Sequence, residues 1–283
     1  MSGAPTEPSK PTPAKSASNL TLRLLVAIVF VPAILALLYV VPPIGFYCLV
    51  FWAVATAAWE LFGMVSGRDL VAQIYGVVVS LAISVLVYRS PFDARLLLTV
   101  AIATPLVGLL FPLVRLGEIS TAGLRSATFA FGPLYCALPL TFLAIVRRDV
   151  RPGFVILALM LAWFADTGGY FAGRFFGKHK LYEAVSPKKT IEGALGGLLG
   201  ALGGAMWAVF GYCRGSLPLV DGVVLAIVGG ALGQAGDLAE SLLKRSTGVK
   251  DSGGILPGHG GILDRIDALM FTATTVYLYL LWR

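Results

Sequence analysis

Residues 250–267, KDSGGILPGHGGILDRID, gather three aspartates, two cations, five glycines and one of the chain's two histidines. Asp251, Asp264 and Asp267 offer hard oxygen ligands of the kind Mg²⁺ takes. The glycines let backbone N–H groups approach an oxyanion, and Lys250 and Arg265, with Lys244 and Arg245 just upstream, add fixed positive charge. Acids, bases and glycines in this mixture suit phosphoryl or nucleotidyl transfer, where cations neutralise a polyphosphate. No Walker A motif is present, so the stretch is not a P-loop. His259 has no second ligand at metal spacing and is expected to hydrogen-bond or to contact phosphate; His179 reads as part of a second basic loop.

A second set lies upstream. Asp237, Glu240, Ser241 and Lys244 follow one another at i, i+3, i+4 and i+7, one face of a helix. A Glu240–Lys244 ion pair would explain two of them and leave Asp237 without a role. Asp166, in WFADTGGYFAGRFFGKHK, precedes a glycine-rich helix end that leads into Arg174, Lys178, Lys180, Lys188 and Lys189. Carboxylates inside apolar runs are expensive and usually functional. Glu60 stands alone beside Trp59 and is expected to be structural at least as readily as functional, and Glu192 sits at the edge of an apolar run.

The elements that must position these residues are membrane spans. Of the 283 residues 57% are hydrophobic and 13% charged, against about 25% charged in soluble domains. Runs of about 20 apolar residues can cross a bilayer, and nine are expected: 22–41, 44–64, 70–88, 95–114, 127–146, 153–173, 192–212, 219–243 and 263–282. The fold expected is therefore all-α, a polytopic helical bundle with about nine transmembrane helices and a polar, Gly-rich, cytoplasm-facing site in its C-terminal half. Residues 1–18 read as a disordered tail with no cleavable signal peptide, 19–150 as a scaffold of lipid-facing helices, and 151–283 as the catalytic region. Assigned to alternating flanks, 15 of the 22 Lys and Arg fall on the side that holds the N-terminus. That side is expected to be cytoplasmic, with the C-terminus outside. Arg147, Arg148 and Arg151 fall on the opposite side, against the rule. Gly193, Gly196, Gly197, Gly200 and Gly204 give small-residue spacing for close helix packing and an interior place for the seventh span; a homodimer through such faces is left open. Cys48, Cys136 and Cys213 have neither metal nor disulfide spacing.

The stretch SLLKRSTGVKDSGGILPGHGGILDRID, Ser241 to Asp267, resembles the signature of the phosphatidate cytidylyltransferases, or CDP-diacylglycerol synthases. Ser241, Lys244, Arg245, Lys250, Asp251, His259, Gly260, Gly261, Asp264, Arg265 and Asp267 all match it, and ADTGGYFAGRFFGKHKL, SPKKTIEG and GDLAES look like the family's other blocks. The resemblance covers roughly residues 155–283. It implies transfer of the cytidylyl group of CTP to phosphatidic acid with release of pyrophosphate, a requirement for Mg²⁺ with K⁺ beside it, membrane lipid as surroundings and no nucleic acid as partner. On that footing Asp237 and Asp264 are expected to bind metal, with Asp267 and Asp166 next. Lys244, Lys250 and His259 join the catalytic set. Substrate contacts are expected from Ser241, Arg245, Asp251, Gly260, Gly261, Arg265, Lys188 and Lys189. A bacterial cytoplasmic membrane is expected from size alone. The rivals are a CTP-dependent lipid kinase, which would move the γ-phosphoryl group, and a transporter; the absence of an internal repeat speaks against the latter.

Overall fold

The computed structural model describes residues 31–115, 117–254 and 260–283. Helices dominate it: α1 (31–39), α2 (Pro43–Val65), α3 (Leu70–Arg89), α4 (Ala94–Val114), α5 (Ala122–Asp149), α6 (Pro152–Phe176), α7 (Ile191–Phe210), α8 (Leu219–Ser246) and α9 (Leu263–Trp282). Each expected span meets a helix, although residues 1–18 and the start of the first span lie outside the described residues. Among the described residues seven helices, α2 to α8, are long and apolar enough to cross a membrane. The chain is a multi-pass membrane protein. The helix α9, with Asp264, Arg265 and Asp267 in its first turns, is not one of the seven.

The sequence sets the helix ends by familiar means. Asp69 caps α3 by accepting from Val71 N–H at 3.1 Å, and Asp93 caps α4 by accepting from the N–H groups of Arg95 and Leu96 at 3.0 and 3.2 Å. Thr190 caps α7 through Gly193 N–H at 3.1 Å. Proline opens α2 and α6, where the missing N–H costs no hydrogen bond.

Two expectations are corrected. The link between α6 and α7 is not plain loop: β1 (Lys180–Tyr182) and β2 (Ser186–Thr190) pair antiparallel, with Lys180 opposite Thr190 and Tyr182 opposite Ser186. A two-stranded ribbon this short gives no apolar period to read in a sequence. The seventh span, α7, is not interior on all sides either. Its glycine stripe packs on α6: a Cβ at Gly168 would run into the Gly196 carbonyl, and one at Gly193 would stand 3.1 Å from the Gly169 carbonyl. Its other face exposes Leu195, Leu199 and Trp207. The small residues expected to allow close approach are thus used within one chain.

The two ends of the bundle differ. At one end Arg147 donates to the Val41 carbonyl at 3.2 Å, Arg148 to the Tyr88 carbonyl, and Arg151 to Ser216 Oγ at 2.5 Å; Arg283 donates to the Ser216 carbonyl at 2.9 Å. The three arginines that break the positive-inside count therefore satisfy helix-end carbonyls and a loop hydroxyl on their own side, which explains their presence there. At the other end Asp69 and Arg115 form a two-pronged pair, at 2.5 and 2.9 Å, between the α2–α3 and α4–α5 links. The hydrogen bonds from Arg115 to Asp69 hold that carboxyl below its ordinary pKa.

Candidate active site

The end that carries Asp69 and Arg115 also carries the polar C-terminal cluster. Helix α8 runs on to Ser246, so Lys244 and Arg245 stand in its last turn rather than in a loop. The face expected from the i, i+3, i+4, i+7 spacing forms. Glu240 has a fully buried side chain and its Oε2 accepts from Lys244 Nζ at 3.3 Å. Lys244 Nζ makes its shorter contact, 2.6 Å, with Asp264 Oδ1 at the start of α9. Asp264 Oδ2 accepts from the N–H groups of Ser252 and Gly261, both at 3.0 Å. Asp264 is thereby fixed on one side by an ammonium and on the other by both stems of the glycine-rich loop. Gly260 has a φ of 79°, a conformation that favours glycine, as the chain turns into α9.

Asp237 is held from a different direction. Lys189, on β2, places its Nζ 2.6 Å from Asp237 Oδ2, so the hairpin reaches across to α8. Asp166 on α6 lies within electrostatic reach of Asp237, Asp267, Lys189 and Arg265. Asp267 is buried; its Oδ1 accepts from its neighbour Ala268 N–H at 2.7 Å, and its carboxyl lies within hydrogen-bond reach of the Glu240 carboxyl. Four predicted aspartates and the cations Lys189, Lys244 and Arg265, drawn from α6, β2, α8 and α9, therefore converge at one end of the bundle.

Of the other predicted residues, Gly261 joins this convergence through its N–H to Asp264. Arg245 donates to the carbonyls of Val185 and Val249, both at 3.4 Å, and so ties the hairpin turn to the end of α8. Lys188, Lys250 and Asp251 are exposed, Ser241 is half-buried, and Gly261 is buried. His259 lies outside the described residues. Glu192 accepts from the backbone N–H groups of Lys178 and His179 and sits 2.6 Å from His179 Nδ1, which latches the hairpin's first strand to α7.

Among the described residues no three of His, Cys, Asp or Glu stand ready-made as a metal cage. The donors nonetheless fit a hard cation. All are carboxylate oxygens. Asp237 and Asp264 each already carry an ammonium at 2.6 Å, and Glu240 Oε1 is buried without a hydrogen-bond partner. The buried carboxyls of Glu240 and Asp267 add further oxygen donors beside them.

One residue of this assembly was not expected. Glu60 on α2 is 3% exposed, and its carboxylate accepts from Ser252 Oγ at 3.2 Å, Ile262 N–H at 3.1 Å and Leu263 N–H at 2.9 Å. Its only signal in the sequence is an acid inside an apolar run with no local partner; the partners lie about 200 residues away.

A family model described as "Cytidylyltransferase family" matches residues 21–282. Proteins named phosphatidate cytidylyltransferase are among those similar to this chain. That of Staphylococcus haemolyticus (strain JCSC1435) is 44% identical over 128 residues, covering 45% of this chain and 49% of that protein. Those of Staphylococcus epidermidis (strain ATCC 35984) and Staphylococcus aureus (strain COL) are 45% and 44% identical over 129 residues, with the same two shares covered. The matched stretch spans about half the length of these curated relatives.

Proposed function

The chain belongs to the cytidylyltransferase family, and from that premise we propose that it transfers the cytidylyl group of CTP to phosphatidic acid, giving CDP-diacylglycerol and pyrophosphate. The observation that carries this reading is the paired arrangement Lys189–Asp237 and Lys244–Asp264 at one end of a membrane bundle. It combines hard oxygen donors with cations where a soluble nucleotide and a bilayer lipid can meet. Backbone that is not helical is tolerated near membrane depth only where protein covers it or a water-filled cavity receives it.

In the reaction a phosphate oxygen of phosphatidic acid attacks the α-phosphorus of CTP. A new P–O bond forms, the bond between the α-phosphorus and the bridging oxygen breaks, and pyrophosphate leaves with the electron pair. A phosphomonoester has a second pKa of about 6, so the nucleophile is already anionic at neutral pH and no strong base is required. Positioning and charge neutralisation then supply most of the rate. Lys189, Lys244 and Arg265 pair with phosphate oxygens, and Arg245 holds the hairpin and the loop in register. Asp237 and Asp264, with Asp267 and Asp166 beside them, would hold Mg²⁺, which supplies neutralisation of the polyphosphate charge when bound; K⁺ would find carboxyl oxygens in the same cluster. The site faces the cytoplasm of a bacterial cell, with the N-terminus inside and the C-terminus outside, in keeping with the division of charge between the two ends.

The test uses purified protein in detergent or nanodiscs with phosphatidic acid, Mg²⁺ and CTP labelled at the α or the γ phosphate. α-Label entering the lipid, with γ-label leaving as pyrophosphate, is the expected result. γ-Label entering a lipid would make the protein a kinase. No transfer from a folded sample would overturn the enzyme reading and call for a flux assay in liposomes.

A further inference from the structure

The polar cluster rests on a residue from the other half of the chain. Glu60 lies on α2, in the part of the sequence that reads as scaffold. Its carboxylate takes one donor from the first stem of the glycine-rich loop, Ser252 Oγ, and two from the second stem, the N–H groups of Ile262 and Leu263. The last two are the N-cap and first residue of α9, whose own side chains supply no cap. Glu60 thus caps α9 from a distance, where a negative group is favoured.

Asp264, in the first turn of α9, grips the same two stems. It takes one donor from each stem, the N–H of Ser252 and that of Gly261. Ser252 is therefore shared, its hydroxyl turned to Glu60 and its N–H to Asp264. The backbone is pressed close around Glu60: a Cβ at Gly253 would stand 2.5 Å from Glu60 Oε1, and one at Gly261 2.5 Å from Glu60 Oε2. A loop stem that must pass this near a buried carboxylate has room only for glycine.

We infer that Glu60 is a positioning residue for the transfer reaction, acting through the two loop stems to fix Asp264 against Lys244. This rests on the cytidylyltransferase reading for its effect on rate, but the contact itself can be measured without turnover. Residues that orient metal or substrate ligands from behind typically change activity by about 10- to 100-fold when altered.

The experiment compares wild type, Glu60→Gln, Ser252→Ala and the double variant as full-length protein in nanodiscs. Hydrogen exchange is read without divalent cation, and kcat and KM with it. Glu60→Gln keeps the size of the side chain but sets an amide N–H₂ against donors. It is expected to raise exchange about tenfold or more in peptides covering 260–266, with α3 and α4 unchanged, and to lower kcat about 10- to 100-fold with little change in KM for CTP. Ser252→Ala removes one donor of three and should give a smaller change of the same kind. The double variant should be no worse than Glu60→Gln alone, because both act through one contact. Unchanged exchange at 260–266 would overturn the inference, as would raised exchange with unaltered kcat, or losses that simply multiply. Should Glu60→Gln fail to fold, Ser252→Ala decides by the same two readouts. An inactive wild type with the predicted exchange pattern would count against the transferase reading and not against the contact.

Discussion

Lys189 Nζ lies 2.6 Å from Asp237 Oδ2, and this ion pair joins the β-hairpin to the start of the polar face of α8. Both side chains are about a third exposed, so the pair is reachable by a ligand. A phosphate arriving there would meet an ammonium already held in place by a carboxylate.

Removing either partner should separate their roles. Lys189→Ala is expected to lower kcat/KM by about 10- to 1000-fold through loss of one cation on the transferring phosphate. Asp237→Asn should abolish transfer at any Mg²⁺ concentration while leaving thermal stability near wild type. Steady-state kinetics with α-labelled CTP, beside a melting curve in detergent, check both; near-normal turnover of Asp237→Asn would remove that residue from the metal set.

Lys244 faces a different outcome because it is more buried. Its side chain is 12% exposed and serves Glu240, fully buried, and Asp264, 11% exposed. Lys244→Met would leave two acids without their cation, and breaking a buried pair costs roughly 3–5 kcal/mol. The expected result is loss of activity together with a lowered melting temperature. Lys250→Met, on an exposed residue of the loop, should leave the melting temperature unchanged. Thermal unfolding of the two variants side by side tests the contrast.

Chelation gives a further check on the carboxylate cluster. With EDTA, transfer should stop and return on adding Mg²⁺. The fold should persist without the divalent cation, since lysine ammoniums already balance Asp237 and Asp264. Circular dichroism that collapsed on chelation would show that the cation holds the bundle together, contrary to this expectation.

The legibility of this chain in its sequence follows from the range of each signal. Hydropathy is a local property, so each expected span meets a helix. The face Asp237, Glu240, Ser241, Lys244 was likewise readable, since helical spacing is local. The pairing of Lys189 with Asp237 was not, because it depends on how a short hairpin folds back over α8. Glu60 was least legible of all: its donors are two loop stems at the far end of the chain, and two of the three are backbone N–H groups that carry no side-chain signal. Arg147, Arg148 and Arg151 run against the charge rule because their acceptors, Val41, Tyr88 and Ser216, lie far off in the chain and leave no local signal.

The glycines of α6 and α7 make a prediction about packing. A Cβ at Gly200 would collide with the Phe164 carbonyl and one at Gly168 with the Gly196 carbonyl, both rigid backbone. Gly200→Ala and Gly168→Ala should each force the helices apart and destabilise the fold by about 1–3 kcal/mol. Gly203, on the same helix, has nothing within 4 Å of its Cβ position. Gly203→Ala should be neutral or slightly stabilising, because alanine favours a helix by up to about 1 kcal/mol. Melting curves of the three variants decide the matter, and equal shifts would mean that α6 and α7 are not in close contact.

Sidedness is tested by labelling. Cys48, Cys136 and Cys213 are first replaced by alanine or serine, and single cysteines are placed at Lys188, on the hairpin, or at Gly215, beside the Ser216 that Arg151 and Arg283 hold. Gly215 has a φ of 73°, so Ser216→Cys serves as a second reporter should Gly215→Cys disturb the turn. In intact cells a membrane-impermeant maleimide should label position 215 and spare position 188; inverted vesicles should reverse the pattern. The hairpin at position 188 carries the lysine that reaches Asp237, so its side is the side of the site. Labelling of both positions from the same face would mean that the two ends of the bundle are not on opposite sides of the membrane. The reverse labelling would put the polar cluster outside the cell, where no CTP pool could reach it.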